Sequence, residues 1–219
     1  RQNLKKSVSV SILSADFLEL KNELDKIEKS NADMLHFDVM DGVFVPNISF
    51  GFPVLDTVNK YTDMHLDVHL MITDPLKYID ECVKFGADII TIHLESESDT
   101  EKTLDKIKKS GVKAGLSVKP GTPFEDAIPF MDKIDMLLIM TVEPGFGGQS
   151  FMEDMLDKIA AAKKYISENN LDVAIEVDGG INNKTGKLVS EAGADILVAG
   201  SYIFKHSDMN EAVSSLACL

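Results

Sequence analysis

The chain has 219 residues, 44% of them hydrophobic, with 22 Lys and Arg against 36 Asp and Glu, a net charge of -14. That acid surplus argues against nucleic acid and anionic membrane as partners, and leaves room for a small anionic ligand held by local groups. The apolar content is enough for a full core, and residues 1–219 read as one domain.

Short aliphatic runs alternate with amphipathic segments throughout. Residues 8–13 read as a strand, and 16–30 as a helix with Phe17, Leu20, Leu24 and Ile27 at helical spacing. A strand over 34–40, an apolar loop over 43–52 and a helix from 53 to about 59 follow. The third strand is 65–71, and Asp74-Pro75 opens the next helix as N-cap and first helical residue. Then come a strand over 88–94, a helix from about 99 to 110, a strand over 113–118 and a helix starting at Thr122-Pro123. The last units are strands at 136–140, 173–178 and 196–199, with helices at 153–168, about 185–191 and from about 210. Strict alternation predicts a parallel sheet with helices outside. Eight βα units in this length favour a closed (β/α)₈ TIM barrel over an open doubly wound sheet. The turn after strand one also lacks the glycines such an open sheet usually carries there.

Cys82 and Cys218 lie far apart in no metal or redox spacing and read as ordinary thiols of a reducing compartment. No apolar run approaches the roughly 20 residues of a membrane helix. Residues 1–6, Arg-Gln-Asn-Leu-Lys-Lys, lack a signal-peptide core. The expectation is a cytoplasmic protein.

The chemistry starts at Met34-Leu35-His36-Phe37-Asp38-Val39-Met40. Period-two alternation puts His36, Asp38 and Met40 on one face, opposite Leu35, Phe37 and Val39. Leu66-Asp67-Val68-His69-Leu70-Met71 repeats the pattern with Asp67, His69 and Met71. In a parallel sheet both faces are buried, so these polar groups need partners or a metal. Polar residues near the carboxyl ends of the strands are Ser11, His36, Asp38, His69, His93, Glu176 and Asp178. Two imidazoles and two carboxylates at one mouth suit a divalent cation and balance its charge. His93 reads better as a supporting histidine than as a fifth ligand, and Glu176, one layer deeper, as a structural group. Met40, Met71 and Met140 fall at the same level, either as core packing or as a water-poor lining.

The last three loops are Glu143-Pro144-Gly145-Phe146-Gly147-Gly148-Gln149-Ser150, Asp178-Gly179-Gly180-Ile181-Asn182 and Ala199-Gly200-Ser201. Barrel phosphate sites form after strands seven and eight, and these stretches hold no Lys or Arg, so backbone amides and Ser201 are the expected grip. Gly179→Val is then expected to block the phosphate while largely sparing the fold.

These stretches, with Ser9-Val10-Ser11-Ile12-Leu13-Ser14-Ala15-Asp16-Phe17 and Phe44-Val45-Pro46-Asn47, strongly resemble the ribulose-phosphate 3-epimerase family over essentially the whole chain. The resemblance implies interconversion of D-ribulose 5-phosphate and D-xylulose 5-phosphate in the pentose phosphate pathway. It implies one metal on His36, Asp38, His69 and Asp178, with Zn²⁺ first and Fe²⁺, Mn²⁺ or Co²⁺ as alternatives. Asp38 and Asp178 become the acid/base pair, and no organic cofactor is expected. Implied substrate contacts are Ser11, His36, His69, Met40, Met71, Met140, Gly145, Phe146, Gly147, Gly148, Gly179, Gly180, Gly200 and Ser201. The partner is a small phosphorylated ketose, and a homo-oligomer is compatible. A related decarboxylase carries Asp-x-Lys-x-x-Asp on strand three, where this chain has His69 in the lysine position. An epimerase of a hexulose 6-phosphate and a non-catalytic metal- or phosphate-binding barrel stay as alternatives.

Overall fold

A computed structural model describes residues 5–219, so residues 1–4 of the amino-terminal reading lie outside it. Eight strands, β1 (Ser7–Ser11), β2 (Met34–Met40), β3 (His65–Met71), β4 (Ile89–His93), β5 (Lys113–Val118), β6 (Met136–Met140), β7 (Ala174–Asp178) and β8 (Ile196–Ala199), close into a barrel in sequence order. Every neighbouring pair is parallel, and β1 against β8 makes the closure. The helices are α1 (Leu20–Glu28), α2 (Phe52–Tyr61), α3 (Ile79–Lys84), α4 (Thr100–Lys109), α5 (Met155–Glu168), α6 (Asn183–Ala192), α7 (Ser201–Phe204) and α8 (Met209–Ala217). Among the described residues no helix is long and apolar enough to cross a membrane.

The alternation explains the layering. Leu35 and Phe37 of β2 point outward into one apolar shell with Leu24 and Ile27 of α1 and Leu55 and Val58 of α2. A fully buried side chain of this size contributes about 1.5–3 kcal/mol, so the shell is the main source of stability. The inward residues form three tiers. Met34, Ile89, Met136 and Ile196 make an apolar floor. Ser9, His36, Asp67, His69, Thr91, His93, Ser117 and Glu176 form a fully buried polar middle. Met40, Met71 and Val45 close one side of the top. The apolar tiers keep water from the middle one, where an unpaired polar atom is costly. Asp67 Oδ1, Thr91 Oγ1, Ser117 Oγ and both Glu176 oxygens have no hydrogen-bond partner there.

A repeated clasp sets the bottom of the barrel. Asp33, Asp88, Asp135 and Asp195 each stand immediately before an even-numbered strand. Their carboxylates accept from the backbone N–H of Val8, Leu66, Ala114 and Ile175 at 2.8, 2.8, 2.8 and 2.9 Å. Each aspartate also donates its own N–H to the carbonyl of that same residue. Each odd strand is thereby locked in register to its successor, which holds side chains at the far end of the pair at fixed heights.

Some boundaries differ from the sequence reading. β1 stops at Ser11, and Ile12–Ser14 forms a 3₁₀ turn closed by Ala15 N–H on the Ile12 carbonyl at 3.0 Å. The first helix begins as a 3₁₀ turn, Phe17–Glu19, capped by Asp16 on Leu18 N–H. Asp74 and Pro75 hold the expected N-cap and first helical positions, of a 3₁₀ turn over Pro75–Tyr78, but the Asp74 carboxylate makes no capping bond and accepts from Ser98 Oγ at 2.6 Å. Residues Phe124–Lys133 stay 3₁₀, with Pro129 inside unable to donate to an α-helical ladder. The short helix α7 was not anticipated.

Candidate active site

Strand register brings the predicted ligands together. Asp38 pairs with His69 across β2 and β3, and Met140 with Asp178 across β6 and β7. His36 Nε2 lies 3.3 Å from Asp38 Oδ1, 3.4 Å from Asp178 Oδ2 and 3.3 Å from His69 Nδ1. His69 Nδ1 is 3.5 Å from each of the same carboxylate oxygens. Four atoms thus converge, with all separations inside 4.8 Å. Ligands about 2.0–2.1 Å from a tetrahedral cation stand about 3.4 Å from one another, so the spacing fits one small divalent ion.

The electrostatics agree. Burial alone would pull the His36 imidazole down, but Asp38 and Asp67 more than reverse this and hold it well above its ordinary value. Burial likewise opposes ionisation of Asp38, yet His36 and His69 hold its carboxyl below the usual range. For Asp178 too, His36 and His69 outweigh burial. Two carboxylates shielded from water demand compensating positive charge, and a dication would match it.

A second tier orients these groups. Ser11 Oγ donates to Asp38 Oδ2 at 2.6 Å, leaving Oδ1 for the cluster. His36 Nδ1 meets Asp67 Oδ2 at 2.7 Å, and Ser9 Oγ donates to that same oxygen at 2.8 Å. Glu176 lies beneath, Oε1 3.8 Å from His36 Nδ1. Burial and then the Asp67 charge push the Glu176 carboxyl well above its usual range, so it is the neutral acid beside an ionised Asp67. His93 stays out of the cluster: its Nε2 meets His69 Nε2 at 2.8 Å and its Nδ1 meets Glu95 Oε1 at 2.9 Å. Burial depresses the His93 imidazole to about 4, so it is neutral. The sequence reading assigned no role to Asp67 or Glu95. The signal for Asp67 was its place two residues before His69, on the same inward face.

Above the cluster opens a cavity of about 660 Å³ lined by Ser11, Asp38, Met40, Met71, Met140 and Asp178. Its far wall carries the glycine-rich loops, with Gly145, Phe146, Gly147, Gly148, Gly179, Gly180, Gly200 and Ser201 all on the lining. His36 and His69, expected also as substrate contacts, do not line it. Both are fully buried, with one ring nitrogen each turned to the cluster. Asn47 Nδ2 donates to the Gly145 carbonyl at 2.9 Å, tying the loop after β6 to the loop after β2. The expectation of a phosphate wall without cations needs amending, because Lys205, just past α7, also lines the cavity.

Gly179 is tighter than the sequence implied. Its φ is +131°, and an added Cβ would stand 2.7 Å from the Val142 backbone nitrogen. A valine there would displace the chain after β6 as well as crowd a ligand, so the fold would not be spared.

Comparison with known proteins follows the same lines. Residues 7–204 match the model of the ribulose-phosphate 3 epimerase family. A ribulose-phosphate 3-epimerase of Bacillus subtilis is 48% identical over 95% of this chain and 97% of its own length. The chloroplastic ribulose-5-phosphate-3-epimerase of Arabidopsis thaliana is 44% identical, over 95% of this chain and 75% of the relative. Among solved structures, 3-hexulose-6-phosphate synthase from Salmonella typhimurium superposes with a TM-score of 0.66 at 17% identity, covering 96% of each chain. A tryptophan synthase alpha-subunit from Pyrococcus furiosus gives 0.69 at 13% identity over 99% of this chain and 100% of the other. At such identities these two share the fold alone.

Proposed function

The chain belongs to the ribulose-phosphate 3-epimerase family, and from that premise we propose that it interconverts D-ribulose 5-phosphate and D-xylulose 5-phosphate by a two-carboxylate proton transfer at C3. The observation that carries this is the pair Asp38 and Asp178. They rise from different strands, reach the same histidine nitrogen, and both line the cavity.

The C3 proton is acidified by the neighbouring carbonyl. One carboxylate removes it from one face, giving a cis-enediolate, and the other carboxylic acid returns a proton to the opposite face. His36, Asp38, His69 and Asp178 would hold the metal, Zn²⁺ first and Fe²⁺, Mn²⁺ or Co²⁺ as alternatives. A divalent cation bound there supplies Lewis-acid stabilisation of the charge developing on the carbonyl oxygen. Ser11 keeps Asp38 turned so that one oxygen serves the cluster and the other remains hydrogen-bonded. Met40, Met71 and Met140 cover the reacting carbons with polarizable, water-free surface. At the other end of the cavity, backbone amides of Gly179, Gly180 and Gly200 and the Ser201 hydroxyl take the phosphate. The loop carrying Gly145, Phe146, Gly147 and Gly148 covers it.

The direct test is turnover of D-ribulose 5-phosphate against its six-carbon 6-phosphate homologue. The five-carbon substrate should have the higher kcat/KM. Preference for the longer chain, or no turnover of either by metal-loaded protein, would overturn the assignment.

A further inference from the structure

The buried row Glu95–His93–His69 ends at the cluster, and a count of its hydrogen atoms fixes its direction. Glu95 Oε1 lies 2.9 Å from His93 Nδ1, and that carboxylate, held low by the His93 contact despite burial, can only accept. His93 Nδ1 therefore carries the hydrogen. His93 is fully buried and meets one carboxylate, already engaged at Nδ1, so a second hydrogen on its ring would leave a buried cation facing another imidazole. Nε2 is the bare acceptor, and it faces His69 Nε2 at 2.8 Å. That places the row's second hydrogen on His69 Nε2 and leaves His69 Nδ1 as the lone pair facing His36, Asp38 and Asp178.

We infer that Glu95 and His93 are positioning residues: they fix the tautomer and the orientation of His69, so that its Nδ1 is presented to the metal. This rests on the ligand set proposed above. The surroundings are built to hold the row still. Lys119 N–H donates to both Glu95 oxygens at 3.2 and 3.3 Å. The His93 and His69 rings lie edge to edge and nearly coplanar, with centroids 4.9 Å apart and planes at 23°, as the Nε2–Nε2 contact requires. Phe44 packs against the His93 ring with centroids 5.0 Å apart and planes at 49°, and Lys119 Nζ lies 3.9 Å over the Phe44 ring. His93 is fully buried, so no water competes for its Nε2. Of the two imidazoles, His36 is oriented by a carboxylate directly and His69 by a carboxylate acting through a second histidine.

The test uses ¹⁵N-labelled histidine in the full chain and a metal titration against a competing chelator. In wild-type protein, His93 should be the Nδ1–H tautomer both with and without Zn²⁺. His69 should carry its hydrogen on Nε2 when Zn²⁺ is bound. His93→Phe, which keeps a flat ring but no acceptor, should lose about 10–100-fold in Zn²⁺ affinity. Glu95→Ala should lose part of that, and Glu95→Gln, whose amide oxygen still accepts from Nδ1–H, should recover most of it. A His93 found as Nε2–H overturns the inference even if every variant misfolds. So does unchanged Zn²⁺ affinity in both His93→Phe and Glu95→Ala, or a Gln variant as weak as the Ala variant. If wild-type protein takes up no divalent metal, the ligand set of the proposed function fails, while the His93 tautomer still reports on the row itself.

Discussion

Asp38 and Asp178 stand on β2 and β7, yet their inner oxygens meet the same atom, His36 Nε2, at 3.3 and 3.4 Å. In sequence order those strands are far apart. Closure of β1 on β8 leaves only β1 and β8 between them. The two carboxylates therefore approach the cavity from different walls without being diametrically opposed. A substrate carbon held against the cluster would have one on either side, the arrangement an inversion requires.

Activity should depend on a divalent metal. Prolonged chelation should abolish turnover, and Zn²⁺, Mn²⁺ or Co²⁺ should restore it at about one equivalent per chain, since the four donors form one cluster. Full activity in protein shown by elemental analysis to be free of divalent metal would contradict the ligand assignment.

Lys205 lines the cavity beside the glycine-rich loops proposed to take the phosphate, in a strongly acidic protein. Lys205→Ala should raise KM for the phosphorylated ketose about 2–5-fold, the scale of an exposed charge contact, with little change in kcat. The effect should shrink at high salt. An unchanged KM at low salt would show that backbone groups and Ser201 suffice.

Much of this was legible in the sequence because a buried barrel strand writes its inward face every second residue. His36, Asp38, His69 and Asp178 could be picked out that way, and the structure gathers all four. β2, β3, β5, β6 and β8 run between the residues their alternation or apolar run marked. What alternation cannot reveal is a partner from outside the strands. Glu95 lies past the end of β4, and Lys205 past the four-residue α7. The Gly179 clash depends on how the chains after β6 and β7 pass each other, which no local pattern records. The aspartate clasps were present in the sequence as an Asp before every second strand, but an exposed-looking acid at a strand start reads as a turn residue.

Each clasp should contribute to stability. Asp135→Ala removes the acceptor for the Ala114 N–H at 2.8 Å and should destabilise by about 1 kcal/mol, read as a lower urea midpoint at unchanged slope. Combined with Asp33→Ala, at the other side of the barrel, the losses should add. An unshifted midpoint for the single variant would show that its backbone bond to Ala114 is enough.

Cys82 is fully buried and burial pushes its thiol from 9.0 up to about 12, whereas Cys218 is exposed. Native protein should react with a thiol reagent at one cysteine, and unfolded protein at two. Between pH 9 and 12 the unfolded chain sheds a proton that the folded chain keeps, so stability should fall as pH rises. Relative to Cys82→Ala, wild type should lose about 1 kcal/mol between pH 8 and 10. Two reactive thiols in the native state would contradict the burial argument.

The central claim is that Asp38 and Asp178 serve opposite faces of C3, and isotope exchange in D₂O tests it most directly. Asp178→Asn and Asp38→Asn are prepared with retained metal confirmed, because each residue is also a proposed ligand. With Asp178→Asn, the epimer presenting its proton to Asp38 should gain deuterium at C3 without inverting, and the other epimer should stay unlabelled. Asp38→Asn should show the reverse preference. Exchange should be slow, since each acid–base group contributes roughly 10²–10⁴-fold, so mass detection after long incubation is the readout. Inversion at near wild-type rate in either metal-replete variant, or one variant inert toward both epimers while the other still epimerises, would contradict the two-carboxylate account.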